Sequence, residues 1–340
     1  MLKHLKNLCL ISGASGNEEK VREYILKEIS EYCNAKVDVN GNIICHKTGK
    51  NKSAKKVMID AHMDEVGFIV TDITDDGLLK FATVGGIEPE SIICKNVEIC
   101  GHSGVIGIKP IHLSSKEELK VLPDEKSLYI DIGAENKEDA EKLVSPGDIG
   151  TFSGNYELLS DNTVKSKALD DRFGCAVIIE LLKSDADYDF FATFTVGEEL
   201  GCRGARTAAF SVAPDYSIVI EATTAGDIHG VSTEETVCNV GGGAVVSFMD
   251  KGTLYDRKLY DKTFELAKKH GIAIQPKRAV AGGNNASAIS LSRSGVKTIA
   301  ISAPCRYIHS PSGVAAFSDM LAVKDIAALL LKELASGGVE

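Results

Sequence analysis

The sequence of 340 residues contains no tryptophan, and aromatic residues make up only 6% of it. Polysaccharide clefts usually rely on large aromatic faces for stacking, so this lack argues against a carbohydrate-processing enzyme. No run of roughly 18 apolar residues occurs, and therefore no membrane-spanning helix is predicted. A basic excess is also missing. The 38 basic and 48 acidic residues give a net charge of −10, which argues against nucleic acid as a partner.

The nine cysteines form no Cys-x-x-Cys pair, and the N-terminal residues lack the sustained apolar stretch of a signal peptide. An odd number of cysteines without an export signal predicts free thiols in a reducing compartment. We therefore expect a cytoplasmic protein.

The residue pattern predicts an α/β fold with an inserted β domain. Residues 67–164 contain short alternating runs separated by Gly and Asp turns, which is typical of a small, mostly β domain. After residue 164, helices and strands alternate, which indicates a mostly parallel sheet flanked by helices. The buried-type strand Val57 to Ala61 most simply joins that later sheet. We therefore predict one domain from residues 1–66 plus 165–340, interrupted by a barrel-like domain over 67–164.

Acidic and histidine side chains occur where the predicted strands end or the long helix begins. They are His62, Asp64, Asp170, Asp171, Glu198, Glu199, Glu221 and His309. The carboxyl ends of parallel strands meet at one edge of a sheet, where α/β folds bind ligands. Two histidines and several carboxylates form a ligand set for a divalent metal such as zinc, cobalt or manganese. So many like charges at one edge would be unfavourable without a cation.

Each of these features also has a simpler interpretation. An isolated His-x-Asp occurs more often in a surface turn, and a Glu-Glu pair after a strand is usually solvated. Asp170-Asp171-Arg172 before an apolar helix is by itself typical of an N-cap. Their shared position at one predicted sheet edge favours the metal site.

Five motifs carry a resemblance to a known family. They are Ala-His-Met-Asp-Glu-Val-Gly (61–67), Lys-Ala-Leu-Asp-Asp-Arg-Phe-Gly (167–174), Thr-Val-Gly-Glu-Glu-Leu-Gly-Cys-Arg-Gly-Ala (195–205), Ile-Glu-Ala-Thr-Thr-Ala-Gly-Asp (220–227) and Arg-Tyr-Ile-His-Ser-Pro (306–311). In this order they resemble the glutamyl and deblocking aminopeptidases, which are dinuclear metallopeptidases of the tetrahedral type. Some members of that family carry the name endoglucanase M. The resemblance extends over nearly the whole chain and implies a zinc-peptidase-like fold.

The resemblance implies a ligand set for two divalent ions per chain, zinc or cobalt ahead of manganese. Asp170 would bridge the two ions. His62 and Glu221 would complete one site, and Glu199 and His309 would complete the other.

The resemblance also implies two catalytic roles, Glu198 as general base and Asp64 as the carboxylate that orients the His62 ring. Short peptides would be the substrates. The chain would form a homo-oligomer, a dodecamer built from dimers through the insertion.

Four positions depart from the family pattern. Glu221 stands where related enzymes often have Asp, and Gly197 stands where Gln is usual. Asn284-Asn285 replaces a Thr-Asp pair, which bears on substrate recognition more than on the metal site. Neither the substrate-binding residues nor the preferred first residue of the substrate is predicted.

Three functions remain to be compared. The leading hypothesis is a two-metal aminopeptidase that removes N-terminal residues from short peptides. A glycoside hydrolase needs only a pair of acids roughly 5–10 Å apart, and carboxylate pairs are abundant here. A non-catalytic metal-binding assembly protein is the third hypothesis. The two surplus histidines count against the glycosidase, and the retention of Glu198 counts against the non-catalytic protein.

Overall fold

The structure is a computed structural model that describes residues 1–339. Within these residues the helices are α1 (Leu2–Leu10), α2 (Glu19–Ile29), α3 (Pro89–Ile92), α4 (Lys137–Ala140), α5 (Leu169–Lys183), α6 (Arg203–Val212), α7 (Arg257–His270), α8 (Ala286–Ser290) and α9 (Phe317–Ala335). No helix in this part of the chain combines the length and the hydropathy needed to cross a bilayer.

The strands divide between one large sheet and one barrel. In chain order they are β1 (Asn34–Val37), β2 (Ile43–Lys47), β3 (Val57–His62), β4 (Gly67–Ile73), β5 (Leu79–Val84), β6 (Asn96–Ile99), β7 (His102–Gly107), β8 (Tyr129–Asp131), β9 (Ile149–Phe152), β10 (Tyr156–Leu158), β11 (Thr163–Ser166), β12 (Phe190–Thr195), β13 (Tyr216–Thr224), β14 (Ala244–Val246), β15 (Ile274–Pro276), β16 (Lys297–Arg306) and β17 (Gly313–Ala316).

The large sheet has the strand order β1-β2-β12-β3-β13-β16-β17-β11-β10, with β14 and β15 attached beside β16. Its four central strands, β12, β3, β13 and β16, are parallel, and antiparallel strands extend the sheet on both sides. Every residue of β3 is buried, including the polar residues Asp60 and His62 among its apolar ones. The predicted α/β class is therefore confirmed, with a mixed sheet whose centre is parallel.

The barrel is closed in the order β4-β5-β8-β7-β6-β9. Its core is separate from that of the large sheet and is centred on three phenylalanines. The ring of Phe68 meets those of Phe81 and Phe152 edge to face, at centroid distances of 5.4 and 5.1 Å. Each barrel strand pairs with two neighbours, and β5 meets β8 through the pair Leu79 and Ile130. The predicted barrel-like insertion is thus present.

The two ends of the predicted insertion differ in their strand pairing. β4 begins at Gly67, the first residue of the predicted insertion, and belongs to the barrel. β11 instead pairs with β17 and β10 pairs with β11, so these two strands extend the large sheet. The division of the chain at residues 67 and 164 stays a prediction about domains.

Candidate metal centre

Six of the predicted site residues lie at the carboxyl edge of the parallel strands, and Asp170 faces them from the start of α5. They are His62 at the end of β3, Asp64 just after it, Glu198 and Glu199 after β12, Glu221 in β13, and His309 in the loop after β16. The structure brings all seven into one cluster. Each strand ends in a loop at the same edge, so residues far apart in sequence meet there.

Asp170 lies between the two histidines. Its Oδ1 is 3.4 Å from His62 Nε2, and its Oδ2 is 3.4 Å from His309 Nε2. His62 Nε2 is also 3.7 Å from Glu221 Oε2, and His309 Nε2 is 3.4 Å from Glu199 Oε1. The two carboxylate oxygens of Asp170 therefore face two different groups of side chains.

We call these the inner group (His62, Asp171, Glu221) and the outer group (Asp170, Glu199, His309). In each group, one potential ligand atom per residue lies within 4.8 Å of the others, a spacing that suits a metal ion. The inner group is buried, whereas the His309 side chain in the outer group is 32% exposed. The outer group is the more accessible to solvent.

The sequence analysis placed Asp171 at the predicted metal-binding edge, but the resemblance to the family gave it no ligand role. Its Oδ1 accepts the backbone N–H of Gly174 at 2.9 Å, which is the N-cap arrangement considered above. Its Oδ2 is buried and faces the inner group. The adjacent Asp-Asp pair was the only sequence signal for this residue, and it does not show that both carboxylates face the same cluster.

Several carboxylate oxygens of the two groups are buried without a hydrogen-bond partner among the described residues. They are Asp170 Oδ1, Asp171 Oδ2, Glu199 Oε1 and Glu221 Oε1. A buried carboxylate oxygen without a donor is costly unless a cation compensates it. With two imidazoles alongside, these oxygens form a donor set that fits divalent metal ions.

The pKa values reflect this crowding. Burial raises the pKa of Glu199 to about 8, and Asp170 adds to the rise against the opposing effect of His309. Burial likewise raises the pKa of Glu221 to about 7. Burial alone would lower the pKa of His309, but Asp170 and Glu199 outweigh it and bring it to about 9. Divalent cations at these positions would relieve the repulsion between the carboxylates that contributes to these raised pKa values.

Asp64 connects the inner group to the Glu198-Glu199 pair. Its Oδ1 is 3.4 Å from His62 Nδ1 and accepts the backbone N–H of Glu198 at 3.0 Å. Its Oδ2 accepts the N–H of Glu199 at 3.1 Å and the hydroxyl of Ser15 at 2.6 Å. Ser15 lies just before α2, which begins at Glu19, and its hydroxyl supports this carboxylate. Asp64 thus holds the ring of His62 and the backbone of Glu198 and Glu199.

Behind the cluster lies a buried ion group, which the sequence analysis also did not predict. Lys167 Nζ donates to Glu65 Oε1 and Oε2 at 2.5 and 2.7 Å, and Arg172 donates to Glu65 Oε1 at 3.1 Å. Arg172 also donates to the carbonyls of Leu8 and Ile11 at the end of α1. Glu65 lies in the motif of residues 61–67, and Lys167 and Arg172 lie in the motif of residues 167–174. The ion group therefore connects the turns that carry Asp64 and Asp170 with each other and with α1.

A cleft of about 450 Å³ opens over the two groups. Glu198 lines it, and the thiol of Cys202 donates to Glu198 Oε1 at 3.6 Å. At its other side lie Lys277 and Asn284, together with hydroxyl-bearing residues. Asn285, by contrast, is fully buried under the sheet edge and does not line the cleft. Only the first of the two asparagines is therefore placed to meet a substrate.

Proteins that are similar to this chain include aminopeptidases. The model of the M42 glutamyl aminopeptidase family matches residues 41–326. A protein of Acetivibrio thermocellus that bears an aminopeptidase name is 41% identical over 324 residues, which cover 94% of this chain and 95% of that protein.

Solved structures are similar over almost the whole chain. An aminopeptidase from the archaeon Desulfurococcus kamchatkensis has a TM-score of 0.94 at 32% identity, covering 99% of this chain and 96% of its own. A Pyrococcus horikoshii TET1 peptidase, described as able to assemble into a tetrahedron or a large octahedral shell, has a TM-score of 0.84 at 34% identity. That match covers 98% of each chain.

Proposed function

Because this chain belongs to the M42 glutamyl aminopeptidase family and is a metal-dependent aminopeptidase, we propose that the inner and outer groups hold its metal ions. The observation that carries this proposal is the position of Asp170, which faces one histidine with each of its carboxylate oxygens. Membership of a peptidase family decides against the glycoside hydrolase and the non-catalytic protein as alternatives.

In this proposal Asp170 is shared by two ions. His62 and Glu221 would hold the first ion with Asp171 close by, and Glu199 and His309 would hold the second. The nitrogen and oxygen donors suit zinc or cobalt, and manganese less well. When bound, such ions supply Lewis acidity, which polarises a scissile carbonyl and lowers the pKa of water.

Glu198 is the proposed general base. Burial raises its pKa well above the usual range, so its carboxyl can hold a proton taken from the attacking water and then release it to the leaving amine. The backbone N–H of Glu198 donates to Asp64 Oδ1, and this hydrogen bond keeps the base in the cleft. Asp64 also sets the orientation of the His62 ring, as a carboxylate beside a metal-binding imidazole commonly does.

Lys277 is the proposed recognition residue for the first side chain of the substrate. Its side chain lines the cleft and the residue is only 8% exposed. Within residues 1–339 its ammonium donates one hydrogen bond, to the carbonyl of Ala281 at 2.8 Å, although an ammonium has three donors. Burial lowers the pKa of Lys277, and a substrate carboxylate would compensate its charge. We therefore propose a preference for acidic first residues, in line with the family's glutamyl members.

The barrel is the proposed contact between subunits. Four apolar side chains in the loop after β7 are 61–76% exposed, namely Ile111, Leu113, Val121 and Leu122. Burying them against a second copy would be favourable, and closed symmetry would confine hydrolysis to short peptides. We propose a dodecamer built from dimers, as in tetrahedral relatives. Light scattering should give a mass many times 36.2 kDa, and a stable monomer at micromolar concentration would contradict it.

The cytoplasm is the proposed location. All nine cysteines are free and lie among the described residues, which is compatible with a reducing compartment.

The central proposal is tested by hydrolysis of aminoacyl-p-nitroanilides with and without a chelator. Amidase activity should disappear with the chelator and return with zinc, cobalt or manganese. Carboxymethylcellulose serves as the control substrate and should not be cleaved. Cellulose cleavage, or amidase activity that survives complete metal removal, would contradict the proposal.

A further inference from the structure

The outer group contacts the barrel as well as the large sheet. His309 Nδ1 donates a hydrogen bond of 2.8 Å to the carbonyl of Gly86, which lies 223 residues earlier in the sequence. Gly86 follows β5, a barrel strand, and Ile87 beside it packs in the barrel core. The inner group differs, because His62 Nδ1 lies 3.1 Å from the carbonyl of Asp64 in its own motif.

The preceding residue, Gly85, packs against a second member of the outer group. Its φ is +89°, a conformation that favours glycine. A Cβ there would lie 2.9 Å from Val66 Cγ1 and 3.2 Å from Glu199 Cβ. The turn therefore fits between Val66 and Glu199 only because residue 85 has no side chain.

We propose that the Gly85-Gly86 turn of the barrel is a positioning element of the outer metal site, an inference that rests on the proposed function. The Gly86 carbonyl keeps a proton on His309 Nδ1, so Nε2, which lies beside Asp170 and Glu199, would be the nitrogen that binds the ion. The close packing of Gly85 sets how near Glu199 can approach. The barrel is thus part of the metal centre, and the inner group is independent of it.

The test compares two glycine substitutions in the same barrel. Gly85→Ala should clash with Val66 and Glu199. Gly133→Ala is the matched control, because Gly133 also has a positive φ, +78°, but a Cβ there has no atom within 4 Å. Chelator-treated proteins are titrated with zinc, cobalt or manganese alone, and bound metal per chain is measured by calorimetry and elemental analysis.

Loss of an interaction that orients a metal ligand typically lowers metal affinity by about 10–100-fold. Gly85→Ala should therefore weaken one of two ions by that factor and leave the other unchanged, while Gly133→Ala binds both as the wild type does. Two ions at wild-type affinity in Gly85→Ala, or equal weakening of both, would overturn the inference alone. A wild-type protein that binds no divalent ion would instead overturn the proposed function.

A second pair of variants applies if Gly85→Ala does not fold, as judged by circular dichroism. Ile87→Ala removes a side chain that packs in the barrel core directly after the Gly85-Gly86 turn. Ile73→Ala removes the same kind of side chain elsewhere in that core. Ile87→Ala should weaken one ion selectively and Ile73→Ala should weaken neither. Equal metal binding by these two variants would overturn the inference.

Discussion

Asn285 Nδ2 donates a hydrogen bond of 2.8 Å to Asp60 Oδ2, joining two fully buried residues that lie 225 positions apart. The same amide donates to Thr195 Oγ1 at 2.8 Å, and Thr193 donates to the other oxygen of Asp60 at 2.5 Å. Asn285 thus supports the sheet beneath the site and does not line the cleft, so the expected effect of the Asn284-Asn285 departure on substrate recognition stays a prediction, with Asn284 as the residue that lines the cleft.

Asn285→Asp should destabilise the protein more as the pH rises. Burial already raises the pKa of Asp60 to about 6 from its usual 3.8, so the folded protein binds this proton more tightly than the unfolded chain does. The stabilisation from that proton is complete below pH 3.8 and is lost as the pH rises through about 6. A second carboxylate beside Asp60 enlarges this effect, because two buried like charges cannot both ionise.

A proton that Asn285→Asp retains from pH 5 to pH 8 contributes about 1.4 kcal/mol per pH unit, which is about 4 kcal/mol over this range, and the wild type loses about 1.4 kcal/mol before Asp60 ionises at about pH 6. The loss of stability in Asn285→Asp should therefore be about 3 kcal/mol greater at pH 8 than at pH 5. Urea unfolding of chelator-treated protein at both pH values measures this difference. Asn17→Asp is the control, because it introduces the same charge at an exposed position. A pH-independent loss would contradict this account of Asp60.

Glu198→Gln should lower kcat by about 100-fold or more and leave metal binding intact, because it removes only the proton transfer. Steady-state kinetics and elemental analysis measure the two effects. Cys202→Ala is the control, since it removes the thiol that donates to Glu198 and leaves the acid in place. It should keep kcat within a few fold. Near-normal turnover in Glu198→Gln would show that another group is the base.

Asp170→Asn should weaken the binding of both metal ions, because each of its oxygens faces a different histidine. His309→Ala should weaken only one, because its ring faces the outer group alone. Metal titration of chelator-treated variants distinguishes these patterns. If Asp170→Asn loses a single ion as His309→Ala does, Asp170 is not shared.

Lys277→Met should remove the preference for acidic first residues. A hydrogen bond to a charged group contributes about 1.5–3 kcal/mol, so kcat/KM for a glutamyl substrate should fall about 10–100-fold relative to a leucyl one. Lys251→Met is the control, because Lys251 is exposed. Unchanged selectivity among p-nitroanilides, with a loss confined to dipeptides, would indicate that Lys277 binds a C-terminal carboxylate instead.

The sequence alone was sufficient to predict the fold class, the inserted barrel and seven side chains that the structure brings together, whereas their roles stay predictions. The alternation of helices and strands in the sequence predicts a parallel sheet, whose carboxyl edge binds ligands. Residues such as His62 and Glu221 are recognisable because they lie at or near the ends of the predicted strands. The motifs that resemble the family add the roles proposed for Glu198 and Asp64. These inferences depend on short stretches of sequence, where hydrophobic periodicity and motifs can be read directly.

Only the tertiary structure decided which distant residues meet at the site. The turn after β5 in the barrel brings the Gly86 carbonyl to His309. Packing of α8 beneath the sheet edge brings Asn285 to Asp60. Lys277 faces the cleft only once the loops around it are placed. Contacts across some 200 residues depend on strand order and packing, which local periodicity does not encode. Such a pair comes into contact only when the strands and helices that carry the two residues have packed against each other.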